Sequence, residues 1–415
     1  MKKTFSTTAL SKMGPQLWRV LLGILVVTFA LSTGASAQDR PKVNTDARPA
    51  INKKSTSTSP PAGAWTGAIS AAQFSRMVQD FSEEEGSFPS DNYVSNEATY
   101  LHVTDKLKQL RGPGGAYVGV GPEQNFTYIA TTRPDIAFIV DIRRQAIIQH
   151  LMYKAIFHLA SNRAQFLALL FSKPLKGKDA PGADAPIEAL TEYFSQAPTS
   201  DEAFAENLAM IRKTIATDFE FPLSPKDQEM LEHVYSAFQQ ANLGITTRWF
   251  GRANGAGWYG GFPTLKDLLV EKDVHGNQGN FLAGREDYDF LRELNRKNRI
   301  IPVVGDFAGS KALTTVADYL RRNGYTVMAY YTSNVEQYLF GDQVFGEFAE
   351  NVRKLPINDK SVFIRSIRGG QMGRRTVLQK ITGFLQDFDK GLYQDYRNLS
   401  QADFFADDDP PGSEQ

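Results

Sequence analysis

The stretch AYVGVGPEQNF, residues 116–126, decides how the rest of the chain is interpreted. A short apolar strand runs into two glycines, Gly119 and Gly121, and the residues that follow are typical of a helix. Downstream, DIAFIVDI (135–142) is a continuous apolar run of the kind that is buried on both faces of a parallel sheet. A strand, a glycine turn, a helix and a second buried strand in this order predict the start of an α/β fold.

The same alternation returns near the C-terminus. Strand patterns occur in RIIPVVGDF (299–307), YTVMAYY (325–331) and KSVFIRSI (360–367), with helical patterns between them. From residue 161 to about 250 the pattern is mostly helical, so we expect a helical insertion there. We therefore predict one α/β domain over residues 66–400, with a mostly parallel sheet flanked by helices.

Composition excludes several classes of function. The chain has 415 residues, 42% of them hydrophobic, which suffices for a large core. Its 46 basic and 46 acidic residues balance, so we expect no nucleic-acid partner. Cysteine is absent, which excludes disulfides, thiolate catalysis and cysteine-bound metal. The five histidines form no HxxxH or HExxH pair, so we expect no metal site.

The N-terminus has the pattern of an export signal. Basic residues precede an apolar run over residues 20–31, and Ala35-Ser36-Ala37 offers the small side chains that a signal peptidase recognises. We predict a signal peptide over residues 1–37, with cleavage before Gln38 and a periplasmic or extracellular mature protein. The alternative is an uncleaved N-terminal helix, which would be the chain's one contact with a membrane.

Two further segments have the composition of disordered chain. Residues 38–65 are polar and rich in Pro, Ser and Thr, so we predict a flexible linker. Residues 401–415 end in ADDDPPGSEQ, and we predict a disordered acidic tail.

The glycine turn predicts a ligand site. In an open α/β sheet, ligands bind beyond the carboxyl ends of the strands, where glycines let the backbone turn sharply and approach a ligand. Asp141 lies 20 residues after Gly121, at the end of the next strand, where an acidic side chain accepts hydrogen bonds from ribose hydroxyls. A purely structural turn remains the alternative. Asn125 begins an Asn-Phe-Thr glycosylation pattern, but we interpret it as part of the helix after the turn and predict that it contributes to the cofactor site.

The kind of cofactor depends on a third glycine. A dinucleotide fingerprint, G-x-G-x-x-G, requires glycine where this chain has Gln124. S-adenosylmethionine carries no phosphate, and its pocket commonly needs the first two glycines and the acid alone, so the sequence favours that cofactor. One feature departs from the usual pattern, since Tyr117 stands where an acidic residue is common.

Three other polar clusters are expected near the same edge of the sheet. FPSDNYVSNE (88–97) contributes Asp91, Asn92, Asn96 and Glu97. The strand ending at Gly305 is followed by Asp306 and Phe307, and YYTSNVEQYLF (330–340) contributes Ser333, Asn334 and Glu336. The alternative for each is helix capping, by Ser95 or Asn96 in the first cluster and by Asp306 for a helix beginning near Lys311.

Together, SDNYVSNE, GVGPEQNF, VVGDFAGSKAL and SNVEQYLF resemble an uncharacterised bacterial protein family whose fold is similar to class I S-adenosylmethionine-dependent methyltransferases. The resemblance runs from about Ala71 to Ile367. It implies a Rossmann-like core in which IIPVVGDF is the fourth strand, with a third strand within the helical insertion. Fold alone does not imply activity.

On this resemblance, Gly119 and Gly121 would admit S-adenosylmethionine and Asp141 would hold its ribose. Asp306 and Phe307 would flank the adenine or the acceptor, and the residues of the other two clusters would orient the acceptor. No residue stands out as a general base, so no catalytic residue is predicted. The alternatives are a non-catalytic envelope protein whose pocket is filled by Tyr117, Phe126 or Phe307, and a nicotinamide-dependent enzyme, which Gln124 disfavours.

Overall fold

The computed structural model describes residues 67–248, 261–369 and 373–405. At its centre lies a six-stranded sheet in the order β3-β2-β1-β4-β5-β6. The strands are β1 (Gly115–Gly119), β2 (Ile136–Asp141), β3 (Ile300–Val304), β4 (Thr326–Ser333), β5 (Val362–Gly369) and β6 (Gly373–Lys380). All neighbouring pairs are parallel except β5 and β6. The predicted mixed α/β fold with a mostly parallel sheet is confirmed.

The strand order places a topological switch point between β1 and β4. The chain runs outward from β1 through β2 to β3 and then returns to the other side of β1. Every residue of β1, β2 and β3 is buried, as expected for strands covered by helices on both faces. This arrangement is compatible with a Rossmann-like fold. In that fold the connections after the two strands at the switch point lead away in opposite directions and leave a crevice at the carboxyl ends of the strands.

Helices cover both faces of the sheet. Before β3, the described α-helices are α1 (Ala71–Asp80), α2 (Thr104–Lys108), α3 (Gln124–Thr132), α4 (Arg144–Leu159), α5 (Arg163–Phe171), α6 (Ile187–Gln196), α7 (Asp201–Lys213), α8 (Pro225–Ala241), α9 (Leu265–Val270) and α10 (Arg285–Arg296). After β3 they are α11 (Ala312–Arg322), α12 (Glu336–Gly341), α13 (Phe345–Arg353), α14 (Ile381–Asp389) and α15 (Tyr396–Leu399).

The segment between β2 and β3 is helical in its described part, and one expectation about it is wrong. Residues 161–248 contain no strand, so IIPVV is the third strand of the sheet and not the fourth. The reason is the spacing of the apolar residues. In α8, for example, the buried side chains Leu231, Val234, Tyr235 and Phe238 recur every three to four residues, which suits a helix packed on one side.

The ends of the chain are described in part. The predicted signal peptide, the linker and residues 406–415 lie outside the described residues. Phe405, which we placed in the acidic tail, donates its backbone N–H to the Leu378 carbonyl at 2.9 Å and packs on the core. The packed chain therefore extends beyond residue 400. Among the described helices, none has the length and apolarity needed to cross a membrane.

Candidate functional site

A cavity of about 360 Å³ opens at the carboxyl ends of β1, β2, β3 and β4. This volume lies in the range of small-molecule sites. Eight of the thirteen residues predicted to bind cofactor or substrate line it: Asn92, Asn96, Gly121, Asp141, Asp306, Phe307, Ser333 and Asn334. These residues come from five segments that are distant in sequence, and parallel strand ends bring four of the segments together.

Hydrogen bonds from buried side chains fix the glycine turn that follows β1. Gly121 has φ of +79°, a left-handed conformation that favours glycine. The Asn125 amide donates to three successive carbonyls, including that of Gly121 at 3.1 Å. His150 lies 2.8 Å from the same carbonyl. Because a carbonyl can only accept, the imidazole carries its proton on Nε2. Burial lowers the pKa of His150 to about 4, so the ring is neutral.

Gly119 and Asn125 do not line the cavity. A Cβ on Gly119 would lie 2.0 Å from Asn125 Oδ1. That oxygen accepts a hydrogen bond from the Tyr117 hydroxyl at 2.9 Å. Gly119 is therefore required by internal packing, and Asn125 shapes the turn without facing a ligand. No sequence pattern links His150 to the turn.

Asp141 lines the cavity but already has a strong partner. Its carboxylate accepts from the backbone N–H and Nε of Arg143 at 2.9 and 3.0 Å through Oδ1, and from Nη2 at 2.9 Å through Oδ2. Arg143 also donates to the Ser90 carbonyl at 3.1 Å. The Asp141 and Arg143 residues are 3% and 8% exposed, so the ion pair is a buried part of the cavity wall. A carboxylate has about four acceptor positions, which leaves one on Oδ2 for a ligand.

Asp306 follows β3 and faces the cavity in a fixed turn. Its Oδ1 accepts from the Ala308 N–H at 2.9 Å, and its own N–H donates to Glu83 at 2.7 Å. The helix that begins at Ala312 has no side-chain cap, so the expected alternative of Asp306 as its N-cap is wrong. Phe307 touches the cavity, while its ring packs against Tyr330 and Phe348.

Some side chains of the loop 88–97 line the cavity, and others point into the protein interior. Asn92 and Asn96 line the cavity. Asp91 turns away and accepts from the Tyr93 hydroxyl at 3.0 Å. The helices that follow this loop, Tyr100–Val103 and α2, have no side-chain caps. Capping by Ser95 or Asn96, the alternative for this cluster, is therefore wrong.

Glu97 belongs to a buried polar cluster beneath the cavity. It is 2% exposed and accepts from Ser333 Oγ and from Gln124 Nε2, the latter at 3.2 Å. The Gln124 amide also donates to the hydroxyls of Tyr128 and Tyr331 at 3.1 and 3.2 Å. The position of the third glycine in a dinucleotide fingerprint is thus occupied by a buried side chain bonded to a carboxylate. This arrangement does not suit a pyrophosphate.

A second buried carboxyl group lies at the start of α3. Glu123 Oε1 accepts from the Ser95 N–H at 3.1 Å, and Oε2 has no partner among the described residues. Burial raises the pKa of Glu123 to about 7. Sequence analysis missed Glu123, because nothing in its neighbours' pattern indicates burial.

Glu336 lies away from the cavity. Its carboxylate accepts from Arg365 Nε at 2.8 Å, and both residues are 1% exposed. The Arg365 guanidinium lies 4.1 Å from the Phe363 ring centroid and 4.9 Å from that of Phe384. Glu336 is thus part of a buried ion pair, and it does not face a ligand in this cavity.

The chain matches a known protein family over most of its length. Residues 92–398 match the model of a family described as a domain of unknown function (DUF7790). The chain belongs to this family. A search of curated proteins gives no match.

The DUF7790 match contains all six strands and most of the cavity wall. Helix α1 and the lining residues Ser87, Phe88 and Pro89 precede it. The cavity is therefore largely a feature of the family domain. In the described part of the chain, no group of three or more acidic or histidine side chains is placed to hold a metal ion.

Proposed function

We propose that the cavity binds a small adenosine-type ligand, with S-adenosylmethionine as the candidate, and that the mature protein does so after export. The single observation that carries this proposal is an acidic cavity of about 360 Å³ at the switch point of a mostly parallel sheet. Export is supported by the pattern of residues 1–37 in the sequence.

Charge favours a sulfonium cofactor over a dinucleotide. Asp141, Asp306 and Asp342 line the cavity, and Arg143 contributes one positive charge among the described residues. The charged side chains of the wall therefore sum to a net negative charge, which attracts a cation and repels phosphate. Glu97 and Glu123 lie behind this wall and add to the same preference when they are ionised.

The residues have separate roles in this proposal. The backbone at Gly121 lets the ligand approach the sheet closely. The remaining acceptor position of Asp141 receives a ribose hydroxyl, and Asp306 Oδ2 receives a donor from the adenine or the acceptor. Asn92, Asn96 and Asn334, which also line the cavity, supply amide groups.

Packing of the aromatic rings supports an open site over the filled pocket of a non-catalytic module. Tyr117 hydrogen-bonds to Asn125 beneath the turn. Phe126 packs edge-on against His150, Tyr153 and Phe157 in the core. Neither ring lines the cavity. Phe307 does line it, but its ring packs against Tyr330 and Phe348. The cavity that side chains would fill in a non-catalytic module is therefore open.

Calorimetric titration of residues 38–415 with S-adenosylmethionine, S-adenosylhomocysteine and NAD⁺ tests the proposal. We expect a Kd for S-adenosylmethionine of about 1 µM, which corresponds to about −8 kcal/mol, and no binding of NAD⁺. The variant Asp306→Asn keeps the Oδ1 acceptor of its turn and should weaken binding about tenfold or more, the equivalent of one charge-assisted hydrogen bond. Asp91→Asn is the matched control, because Asp91 lies outside the cavity.

The proposal is wrong if no adenosine compound binds, or if Asp306→Asn and Asp91→Asn bind equally well. Preferred binding of NAD⁺ would instead assign the cavity to a dinucleotide despite Gln124.

A further inference from the structure

Ser333 occupies an unusual position at the end of β4. It lines the cavity, and its backbone has φ of +53°, a left-handed conformation that is uncommon for a residue with a side chain. The register of β4 with β5 shifts immediately before it. The chain then enters α12 at Glu336. A polar residue held in a strained turn from a strand to a helix, at the edge of a cavity, is the setting in which nucleophiles are presented to substrates.

The Ser333 hydroxyl is hydrogen-bonded to a buried base. Its Oγ donates to Glu97 Oε1 and lies 3.2 Å from Asn334 Oδ1. Glu97 is fixed in turn, because Gln124 Nε2 reaches its other oxygen at 3.2 Å. Gln124 comes from α3, Glu97 from the loop 88–97 and Ser333 from the end of β4, so three segments meet at the Glu97 carboxylate. A nucleophile, a base within hydrogen-bond reach and a third group that orients the base form the general arrangement of nucleophilic catalysis.

The surroundings of Glu97 make it a stronger base than a carboxylate in water. Burial is the largest influence and raises the pKa of Glu97, while the bonds from Ser333, Gln124 and Tyr331 and the charge of Arg374 on β6 lower it. The hydroxyls of Tyr117, Tyr128 and Tyr331 also face the carboxylate. Burial raises the pKa of each of these tyrosines well above 10, so they are neutral. Glu97 is the group in this cluster that titrates.

We propose that Ser333 is a nucleophile activated by Glu97, and that it accepts an acyl group from an uncharged or cationic ester that enters the cavity. Ser333 Oγ forms a bond to the ester carbonyl carbon, and its proton passes to the Glu97 carboxylate. The carbon–oxygen bond of the ester breaks, and the leaving alkoxide takes the proton from Glu97. Water then attacks the acyl-serine by the same route and releases the acid. The acidic cavity wall disfavours anionic esters. This activity does not depend on the proposed cofactor.

Covalent labelling tests the proposal without knowledge of the natural substrate. The probe is an uncharged dialkyl fluorophosphate, which forms a bond between Ser333 Oγ and phosphorus, loses fluoride and passes the serine proton to Glu97. Residues 38–415 should acquire one adduct by intact mass, located at Ser333 by peptide mapping and absent in Ser333→Ala. Glu97→Gln should slow labelling about 100-fold, the usual effect of losing a general base.

Two controls separate activation from simple packing. Asp91→Asn changes another buried carboxyl group, and Ser161→Ala removes a hydroxyl elsewhere on the chain. Neither residue lines the cavity, so both variants should label at the parent rate. In the parent protein the labelling rate should rise with pH as Glu97 ionises and then level off. This profile needs no variant, so it remains decisive if Glu97→Gln fails to fold.

Three results would overturn the proposal: no adduct at Ser333, an adduct that forms equally fast in folded Glu97→Gln, or a rate that is independent of pH wherever the protein stays folded. Each would leave Ser333 as a hydrogen-bond donor that satisfies a buried carboxylate. Because labelling requires no cofactor, its outcome is distinguishable from the titration with S-adenosylmethionine.

Discussion

His150 Nε2 donates to the carbonyl oxygen of Gly121 at 2.8 Å, which joins helix α4 to the turn that opens the cavity. The imidazole is buried among aromatic rings, with Phe126 at 5.7 Å and Tyr153 at 6.0 Å between centroids. A neutral histidine thus fixes the position of the glycine turn from the side opposite the cavity.

Replacing His150 by Phe should destabilise the protein by about 1–2 kcal/mol at pH 7, because the ring packing is kept while one buried hydrogen bond is lost. The difference should shrink as pH falls. The pKa of His150 drops from 6.5 to about 4 on folding, so its contribution is present above pH 6.5 and is lost as pH falls toward 4. Urea unfolding of both proteins at pH 7 and pH 5 measures the change, and an equal difference at both values would contradict it.

Glu123→Gln should stabilise the protein at pH 8 and have little effect at pH 4.5. Folding raises the pKa of Glu123 from 4.5 to about 7, so its contribution is full below pH 4.5 and is lost as pH rises through 7. Glutamine resembles the protonated acid and keeps the acceptor for Ser95. The expected gain at pH 8 is at most about 3 kcal/mol. Chemical denaturation across pH 4.5–8 tests this, and a pH-independent difference would exclude ionisation as its cause.

The two glycines of the turn should respond differently to alanine. Gly119→Ala places a methyl group against Asn125 and Tyr117, whose side chains are buried and bonded to each other, so we expect a loss of about 3 kcal/mol. Gly121→Ala meets no atom within 4 Å but forces alanine to φ of +79°. That conformation costs about 1–2 kcal/mol. Thermal unfolding of both variants shows which one loses more stability. A larger loss for Gly121→Ala would contradict the packing role of Gly119.

Removing one partner of the buried ion pair Glu336–Arg365 should destabilise the protein strongly, whereas replacing both partners should destabilise it little. Removing one partner leaves a buried charge, so Arg365→Met alone should destabilise by about 3–5 kcal/mol. Arg365 Nη1 and Nη2 have no hydrogen-bond partner among the described residues, and Phe363 and Phe384 pack on the guanidinium. The double variant Glu336→Gln with Arg365→Met should recover most of the loss. A double-mutant cycle by urea unfolding gives the coupling, and additive losses would show that the charges do not interact.

Ligand titration of the same double variant is a separate check on the site. Since Glu336 lies outside the cavity, affinity for S-adenosylmethionine should be unchanged in folded protein. A loss of affinity in a correctly folded variant would show that Glu336 contributes to ligand binding.

Strand prediction succeeded where apolar runs are short and continuous. IAFIVD and IIPVV are buried on every residue, so their composition alone indicates the centre of a parallel sheet. The expected third strand within residues 161–250 failed for the opposite reason, since that expectation came from a resemblance and not from the residues. The helical spacing in α8 was the better guide.

Residues that directly follow strands line the cavity at the edge of the sheet that the sequence predicted, and their binding of a ligand stays a prediction. Gly121, Asp141, Asp306 and Ser333 all lie at or just beyond strand ends, and parallel topology brings such residues to one edge. The sequence did not indicate that the Glu97 and Glu336 side chains point into the interior and do not line the cavity. Whether a polar side chain faces a cavity or a buried partner depends on local backbone direction, which spacing along the chain does not encode.

The sequence by itself determined the α/β class, five of the six described strands and the edge at which polar residues gather, because these follow from local apolar patterns and from the rule that parallel strand ends align. The antiparallel edge strand β6 was not predicted. Tertiary structure alone decided the partners: His150 on Gly121, Arg143 on Asp141, Glu97 on Ser333 and Arg365 on Glu336. Three of these pairs join residues separated by 29 to 236 positions. Such contacts arise when the whole core packs, and burial then sets the charge state of each group.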